Sequence, residues 1–122
     1  LTVIVDRNNI QLDGPTEEIM PLGDLAKKFS SFGWHVVEID GHNIQAVIDA
    51  SNLAKAIEGL PTVIIAHTIP GKGVDYMERD FHWHGIPPGL QEMEGAPPKD
   101  QQAKEALHEL RTLGGRIKGE HQ

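Results

Sequence analysis

Pro61-Thr62-Val63-Ile64-Ile65-Ala66 is an unbroken run of apolar and β-branched residues, which follows the helix stop Gly59 and precedes His67. A short apolar run bounded by turn signals reads as a strand buried in a sheet. Working outward, Trp34-His35-Val36-Val37-Glu38-Ile39 reads as another strand, ending at Asp40-Gly41. Thr2 to Val5 is also β-rich and nearly all apolar, which suits a strand covered on both faces of a parallel sheet.

Helical patterns separate these strands. Leu22, Leu25, Ala26, Phe29 and Phe32 recur at helical spacing with Gly33 as a stop, which predicts a helix from about Gly23 to Phe32. Asn43 is a good N-cap for a second helix, whose expected apolar face is Ile44, Val47, Ile48, Leu53, Ala54 and Ile57, ending at Gly59. Strand–helix–strand–helix–strand is the order of an α/β domain, a parallel sheet with flanking helices and right-handed crossovers. From His67 to Pro98 the pattern gives way to a Gly- and Pro-punctuated stretch that holds Tyr76, Phe81, Trp83, His82 and His84. An irregular stretch this long in a small domain is usually functional. A polar helix follows over Asp100 to Leu113, with a narrow apolar stripe of Ala103, Ala106, Leu107 and Leu110, a stop at Gly114-Gly115 and a frayed tail to Gln122.

Composition narrows the functional classes. The chain has 122 residues, 11 Lys and Arg against 18 Asp and Glu, a formal net charge of −7 and no cysteine. That length supports one domain with a real core. The lack of cysteine excludes disulfides, thiolate metal sites and a cysteine nucleophile. The acidic balance argues against nucleic acid as a partner, because no basic cluster is there to neutralise phosphates. No apolar run is long enough to span a membrane and no basic-then-apolar leader is seen, so the expectation is a soluble, cytoplasmic chain with no membrane partner.

Two stretches could carry chemistry, both just beyond the carboxyl ends of expected strands, where open α/β sheets bind ligands. In Asp6-Arg7-Asn8-Asn9-Ile10 an amide oxygen and a nearby carbonyl could serve as neutral hard ligands for Mg²⁺ or Ca²⁺, although Asn8-Asn9 also suits a plain post-strand turn. In Ile69-Pro70-Gly71-Lys72-Gly73-Val74 the glycines allow close approach to a phosphate and Lys72 could neutralise it. The following Phe81-His82-Trp83-His84-Gly85 supplies imidazoles. A zinc site through His82 and His84 lacks a third ligand at sensible spacing.

Taken together and in order, Val3-Ile4-Val5-Asp6-Arg7-Asn8-Asn9-Ile10-Gln11-Leu12-Asp13-Gly14, Val37-Glu38-Ile39-Asp40-Gly41-His42, His67-Thr68-Ile69-Pro70-Gly71-Lys72-Gly73-Val74 and Trp83-His84-Gly85 closely resemble transketolase. The match is to its diphosphate-binding domain, in the form found in the N-terminal subunit of split bacterial transketolases, and it covers about Leu1 to Pro88. The resemblance implies a thiamine-diphosphate-binding fold and the transfer of a two-carbon ketol unit between sugar phosphates, with thiamine diphosphate and a divalent metal as cofactors.

Residue by residue, it implies that Asn8 gives its side-chain oxygen and Ile10 its carbonyl to Mg²⁺ (or Ca²⁺). Leu12 falls beside the thiazolium ring, where an apolar side chain helps to exclude water. His84 falls near the cofactor diphosphate and the substrate hydroxyls, as the expected catalytic and cofactor-binding imidazole. Some family members carry a lysine where this chain has Pro70, and Lys72 is the expected substitute. The resemblance assigns no role to His42, His67 or His82.

No Gly-Asp-Gly occurs in this chain, so the metal's carboxylate ligand is expected from elsewhere. The same holds for the pyrimidine-binding domain. With Leu1 already inside a strand pattern, the expectation is that residues 1–98 are the C-terminal portion of the cofactor-binding domain and 99–122 a terminal helix and tail. The complementary segment or subunit is then a partner, the assembly an oligomer, and the isolated chain inactive. Two other readings stand beside this one: a non-catalytic assembly or regulatory module that retains the fold, and an enzyme like deoxyxylulose-phosphate synthase.

Overall fold

In the computed structural model, residues 1–113 are described, and they divide into two units. The first unit comprises Leu1–Asn9 with Thr16–Thr68, and the second comprises Ile10–Pro15 with residues 69–113. The expected Gly114-Gly115 stop and the tail to Gln122 lie outside the described residues.

The first unit is built on a parallel sheet of β1 (Thr2–Arg7), β4 (His35–Asp40) and β5 (Thr62–His67), in the order β1-β5-β4. Register sets Ile4 opposite Ile64 and Ile64 opposite Val37. The unbroken apolar run is the central strand, with Thr62 through Ala66 all buried. β1 departs from expectation. It alternates instead of being covered on both faces, and Ile4 is 59% exposed. The reason is position: α2 (Leu25–Ser31) lies against β4 and α3 (Ile44–Ala56) against β4 and β5, while β1 pairs with β5 from the sheet edge.

The helices begin where capping chemistry dictates. Asp24 caps α2, accepting the Lys27 N–H at 2.9 Å, so the helix starts two residues after the expected Gly23. It ends at Ser31, with Phe32 as C-cap and Gly33 following at φ 81°, the left-handed turn that glycine takes without strain. Phe32 is exposed, and Phe29 is the aromatic that packs, edge-on to Trp34 at 5.5 Å. Asn43 caps α3 as expected, accepting the Ala46 N–H at 3.1 Å.

The face of α3 that meets the sheet is only partly the expected one: Ala54 is buried as expected and Val47 and Ile57 are half-buried. Ala50 and Ala54 are the buried residues, packed on Ile64 with Val37 and Ile39 around them, whereas Ile44, Ile48 and Leu53 are exposed. Alanines one turn apart let the helix backbone approach the strands closely, and the larger residues are carried to the flanks. A single turn of helix absent from the sequence reading, α1 (Thr16–Ile19), follows with Thr16 buried and its N–H donating to the Asn9 carbonyl at 2.9 Å.

In the second unit, β2 (Ile10–Gln11) and β3 (Gly14–Pro15) form a minimal antiparallel hairpin with Leu12-Asp13 at its turn. Residues 69–98 contain no regular element longer than a 3-10 turn at Phe81–Trp83, as the sequence implies. They are nonetheless tightly tied. The Arg79 N–H donates to the Pro70 carbonyl at 2.9 Å, closing a loop in which Gly71 takes φ 73°. Buried Trp83 donates from Nε1 to the Tyr76 carbonyl at 3.0 Å, and the Tyr76 hydroxyl donates to the Gln102 carbonyl at 2.7 Å.

α4 (Lys99–Thr112) closes the described chain. Of the expected stripe only Ala106 is buried, with Gln102 and Thr112 beside it, while Ala103, Leu107 and Leu110 are exposed. Gln102 is 0% exposed, and its amide accepts the Gly89 N–H at 2.8 Å and donates to the carbonyls of Gln91 and Pro97, both at 3.1 Å. The surface that α4 covers is irregular backbone with unmet donors and acceptors. A side-chain amide satisfies these and a leucine cannot.

Candidate functional site

β1 delivers Arg7 and then Asn8-Asn9 to the carboxyl end of the parallel sheet. Asn8 is half-buried there, and Asn9 adopts φ 64°, the left-handed conformation that asparagine tolerates better than most residues. The Arg7 side chain is only 12% exposed and is paired with Glu17 at 2.5 Å. The Thr68 hydroxyl donates to the Asp6 carboxylate at the same end of the sheet.

On this side of the first unit lies a cleft of about 210 Å³ lined by Arg7, Asn9, Asp24, Glu38, Ile65 and His67. His67 Nε2 stands 2.8 Å from Glu38 Oε2 across the β4–β5 pair. Sequence reasoning left His67 without a role and did not single out Arg7 or Glu38. Strand register places Arg7 opposite His67, so the β1–β5 pairing was the signal that could have linked them. His42 caps the β4 end, its backbone N–H donating to Asp40 Oδ1 at 2.9 Å.

The remaining expected residues belong to the second unit. Ile10 is half-buried in β2, and Leu12 stands 70% exposed at the tip of the hairpin. Between them, Gln11 Nε2 is buried with no hydrogen-bond partner among the described residues. A buried amide without a partner calls for an explanation, since desolvating it costs on the order of 1–3 kcal/mol. Gln11 escaped the sequence reading because nothing in its spacing sets it apart.

β3 packs against the 3-10 turn Phe81–Trp83, so the structure brings the hairpin that carries Ile10 and Leu12 to the turn that precedes His84. His84 is the exposed C-cap of that turn, with its backbone N–H donating to the Phe81 carbonyl at 2.9 Å. Lys72 is not a free cation: its Nζ lies 3.4 Å from Glu78 Oε1. The same oxygen accepts the Gly73 N–H at 3.0 Å. That backbone hydrogen bond, with the Lys72 charge adding to it, holds the Glu78 carboxyl below its usual range, against a smaller opposing effect of burial. Asn8 lies in the first unit, apart from these four residues in the division of the chain.

Tested against a hard divalent ion, the donor set has the right chemistry and too few members. The Asn8 amide oxygen and the Ile10 carbonyl are neutral oxygen ligands of the kind Mg²⁺ and Ca²⁺ accept. Among the described residues, no group of three or more His, Asp or Glu side chains is arranged to hold a metal. Two neutral oxygens bring no charge, whereas such ions are usually held with carboxylate or phosphate oxygens as well.

Residues 1–103 match the model of the transketolase thiamine diphosphate binding domain. A 6-deoxy-6-sulfo-D-fructose transketolase subunit from Clostridium sp. (strain MSTE9) is 42% identical over 86 residues, covering 70% of this chain. An apulose-4-phosphate transketolase subunit from Phocaeicola vulgatus is 39% identical over 88 residues, covering 71% of it. The aligned region is 31% of the length of each of these relatives. Among solved structures, transketolase from Campylobacter jejuni superposes with a TM-score of 0.62 at 19% identity, over 96% of this chain and 21% of that one, which shows a shared fold. No described helix is long and apolar enough to cross a membrane.

Proposed function

The chain belongs to the transketolase family through its thiamine diphosphate binding domain, and from that premise we propose that it is one segment of a ketol-transferring enzyme, moving a two-carbon unit between sugar phosphates. The observation that carries this reading is the half-buried Asn8 at the carboxyl end of a parallel strand, in a chain matched to that family over residues 1–103. Residues 1–98 belong to the cofactor-binding domain, and α4 (Lys99–Thr112) follows them. The partner is the complementary transketolase segment or subunit with the pyrimidine-binding domain, in a cytoplasmic oligomer.

Bound thiamine diphosphate would supply the electron sink for breaking and remaking a carbon–carbon bond. This chain's residues bind and orient. Asn8, through its side-chain oxygen, and Ile10, through its carbonyl, would hold Mg²⁺ (or Ca²⁺). Leu12, an exposed apolar side chain at a hairpin tip, covers the thiazolium ring and keeps water from it. Gln11, whose amide lacks a partner among the described residues, stands between these two residues and adds to the case that this hairpin meets a ligand. His84 donates to diphosphate or relays a proton at a substrate hydroxyl. Lys72 contributes a cation once Glu78 releases it.

The test is reconstitution. The chain joined with its complementary segment, Mg²⁺ and thiamine diphosphate is expected to transfer ketol units from a ketose phosphate to an aldose phosphate, and the isolated chain to bind the cofactor poorly and transfer nothing. Micromolar cofactor binding by the isolated chain in calorimetry would refute the dependence on a partner. A reconstituted assembly that binds cofactor and transfers no ketol unit would refute the reading itself.

A further inference from the structure

His82 is held more firmly than a surface histidine needs to be. Its ring Nδ1 lies 2.6 Å from Asp80 Oδ1, and the same oxygen accepts the His82 backbone N–H at 2.9 Å. The ring stacks on Phe81 with centroids 4.0 Å apart and planes at 29°. The turn beneath is itself anchored, because buried Trp83 donates to the Tyr76 carbonyl. A 3-10 turn separates successive side chains by about 120°, so with Trp83 turned inward His82 points outward, and His84 follows as the C-cap in extended backbone. Both are exposed.

The consequence is chemical. A carboxylate only accepts hydrogen bonds, so the Nδ1 that faces Asp80 carries the proton and Nε2 of the neutral ring is left as an outward-facing acceptor. An imidazole fixed in position, plane and tautomer loses little entropy when it binds. An acceptor of this kind suits a hydroxyl group. It does not suit a phosphate, which needs donors.

We propose that His82 is a substrate-binding residue, accepting a hydrogen bond at Nε2 from a hydroxyl of the ketose, with Asp80 and Phe81 as its positioning residues. This rests on the ketol-transfer reading and deepens it: the preferred donor is a polyhydroxylated sugar, recognised by a second imidazole beside His84.

The experiment uses the reconstituted enzyme and two donors. One is the ketose phosphate it accepts best. The other is hydroxypyruvate, which delivers the same two-carbon unit and carries no hydroxyl beyond it. Asparagine can keep the Nδ1-like contact with Asp80 and loses the Nε2 acceptor, while glutamine places an acceptor near the Nε2 position. His82→Asn is expected to lower kcat/KM for the ketose phosphate about 5- to 10-fold, through KM, as fits the loss of one neutral hydrogen bond. It should leave hydroxypyruvate within about twofold, and His82→Gln should recover most of the loss. Equal losses on both donors, or an unchanged His82→Asn, overturn the proposal by reducing His82 to a structural role or none. Wild-type enzyme inactive on both donors overturns the reading beneath it instead.

Discussion

Glu78 neutralises Lys72 inside the loop that carries them both, with Nζ 3.4 Å from Oε1 and the Gly73 N–H on the same oxygen at 3.0 Å. The cation best placed by sequence to meet a diphosphate is therefore already engaged, and it is released only when Glu78 gives it up. This relationship makes the loop at once a structural unit and a candidate regulator of phosphate affinity.

Glu78→Gln is expected to tighten thiamine diphosphate binding in the reconstituted enzyme severalfold, as calorimetry would read, because Lys72 is freed. Stability should respond in the opposite sense. The folded-state pKa of Glu78 lies below its ordinary value of 4.5, so the carboxylate contributes stability above pH 4.5 and loses it as pH falls through the lower folded value. The variant should be slightly less stable at neutral pH and should lose less on acidification below pH 4.5, seen in denaturant midpoints measured across pH.

Gly71 is the least replaceable residue of the same loop. Its φ is 73°, and a Cβ there would collide with the Met77 carbonyl group. Gly71→Ala adds left-handed strain to a backbone clash and should cost about 3 kcal/mol or more. Gly33→Ala, at φ 81° with open space around it, carries the strain alone and should cost about 1–2 kcal/mol. Equal losses in urea unfolding would show that the loop relaxes around the added methyl.

Gln102→Leu removes the amide that serves Gly89, Gln91 and Pro97. The three backbone groups left without partners should cost about 2–4 kcal/mol in all, with faster proteolysis within residues 87–98 as the local sign. The Tyr76 hydroxyl is little affected, since it donates to the backbone carbonyl of Gln102. Burial, with the charges of Glu109 and Glu105, pushes its pKa up and keeps it a donor.

Asn8→Ala should raise the Mg²⁺ concentration for half-maximal activity of the reconstituted enzyme by about tenfold, the order expected for one lost oxygen ligand. Because Asn8 is half-buried at a strand end and not in the core, thermal stability should change little. An unaltered Mg²⁺ requirement would remove Asn8 from the metal shell.

Much of this molecule could be read along the chain. The central strand, expected over Pro61–Ala66 and found at Thr62–His67, the Asn43 cap, the glycine after α2 and the irregular stretch up to Pro98 all follow from neighbours within a few residues. The blocks around Asn8, Gly71 and His84 carried the family likeness as well. What failed were the faces. Ile4, Ile44, Ile48 and Leu107 are as apolar as the residues that are buried, yet they are exposed, while Ala50 and Gln102 take packing positions beside the expected Ala54 and Ala106. Hydropathy says which side chains can be buried, and only the neighbouring elements say which are.

Sequence alone determined the alternation of strand and helix, because periodicity, capping and turn chemistry act over a turn or two of backbone, and its motif blocks separately carried the resemblance to the family. The tertiary structure alone decided the pairings: His67 with Glu38 across 29 residues, Tyr76 with Gln102 across 26, and the Asp75 N–H with Glu109 across 34. Such pairings depend on strand register and helix seating, which bring together groups that no local pattern connects, and with them decide which charges and acceptors are left to meet a ligand.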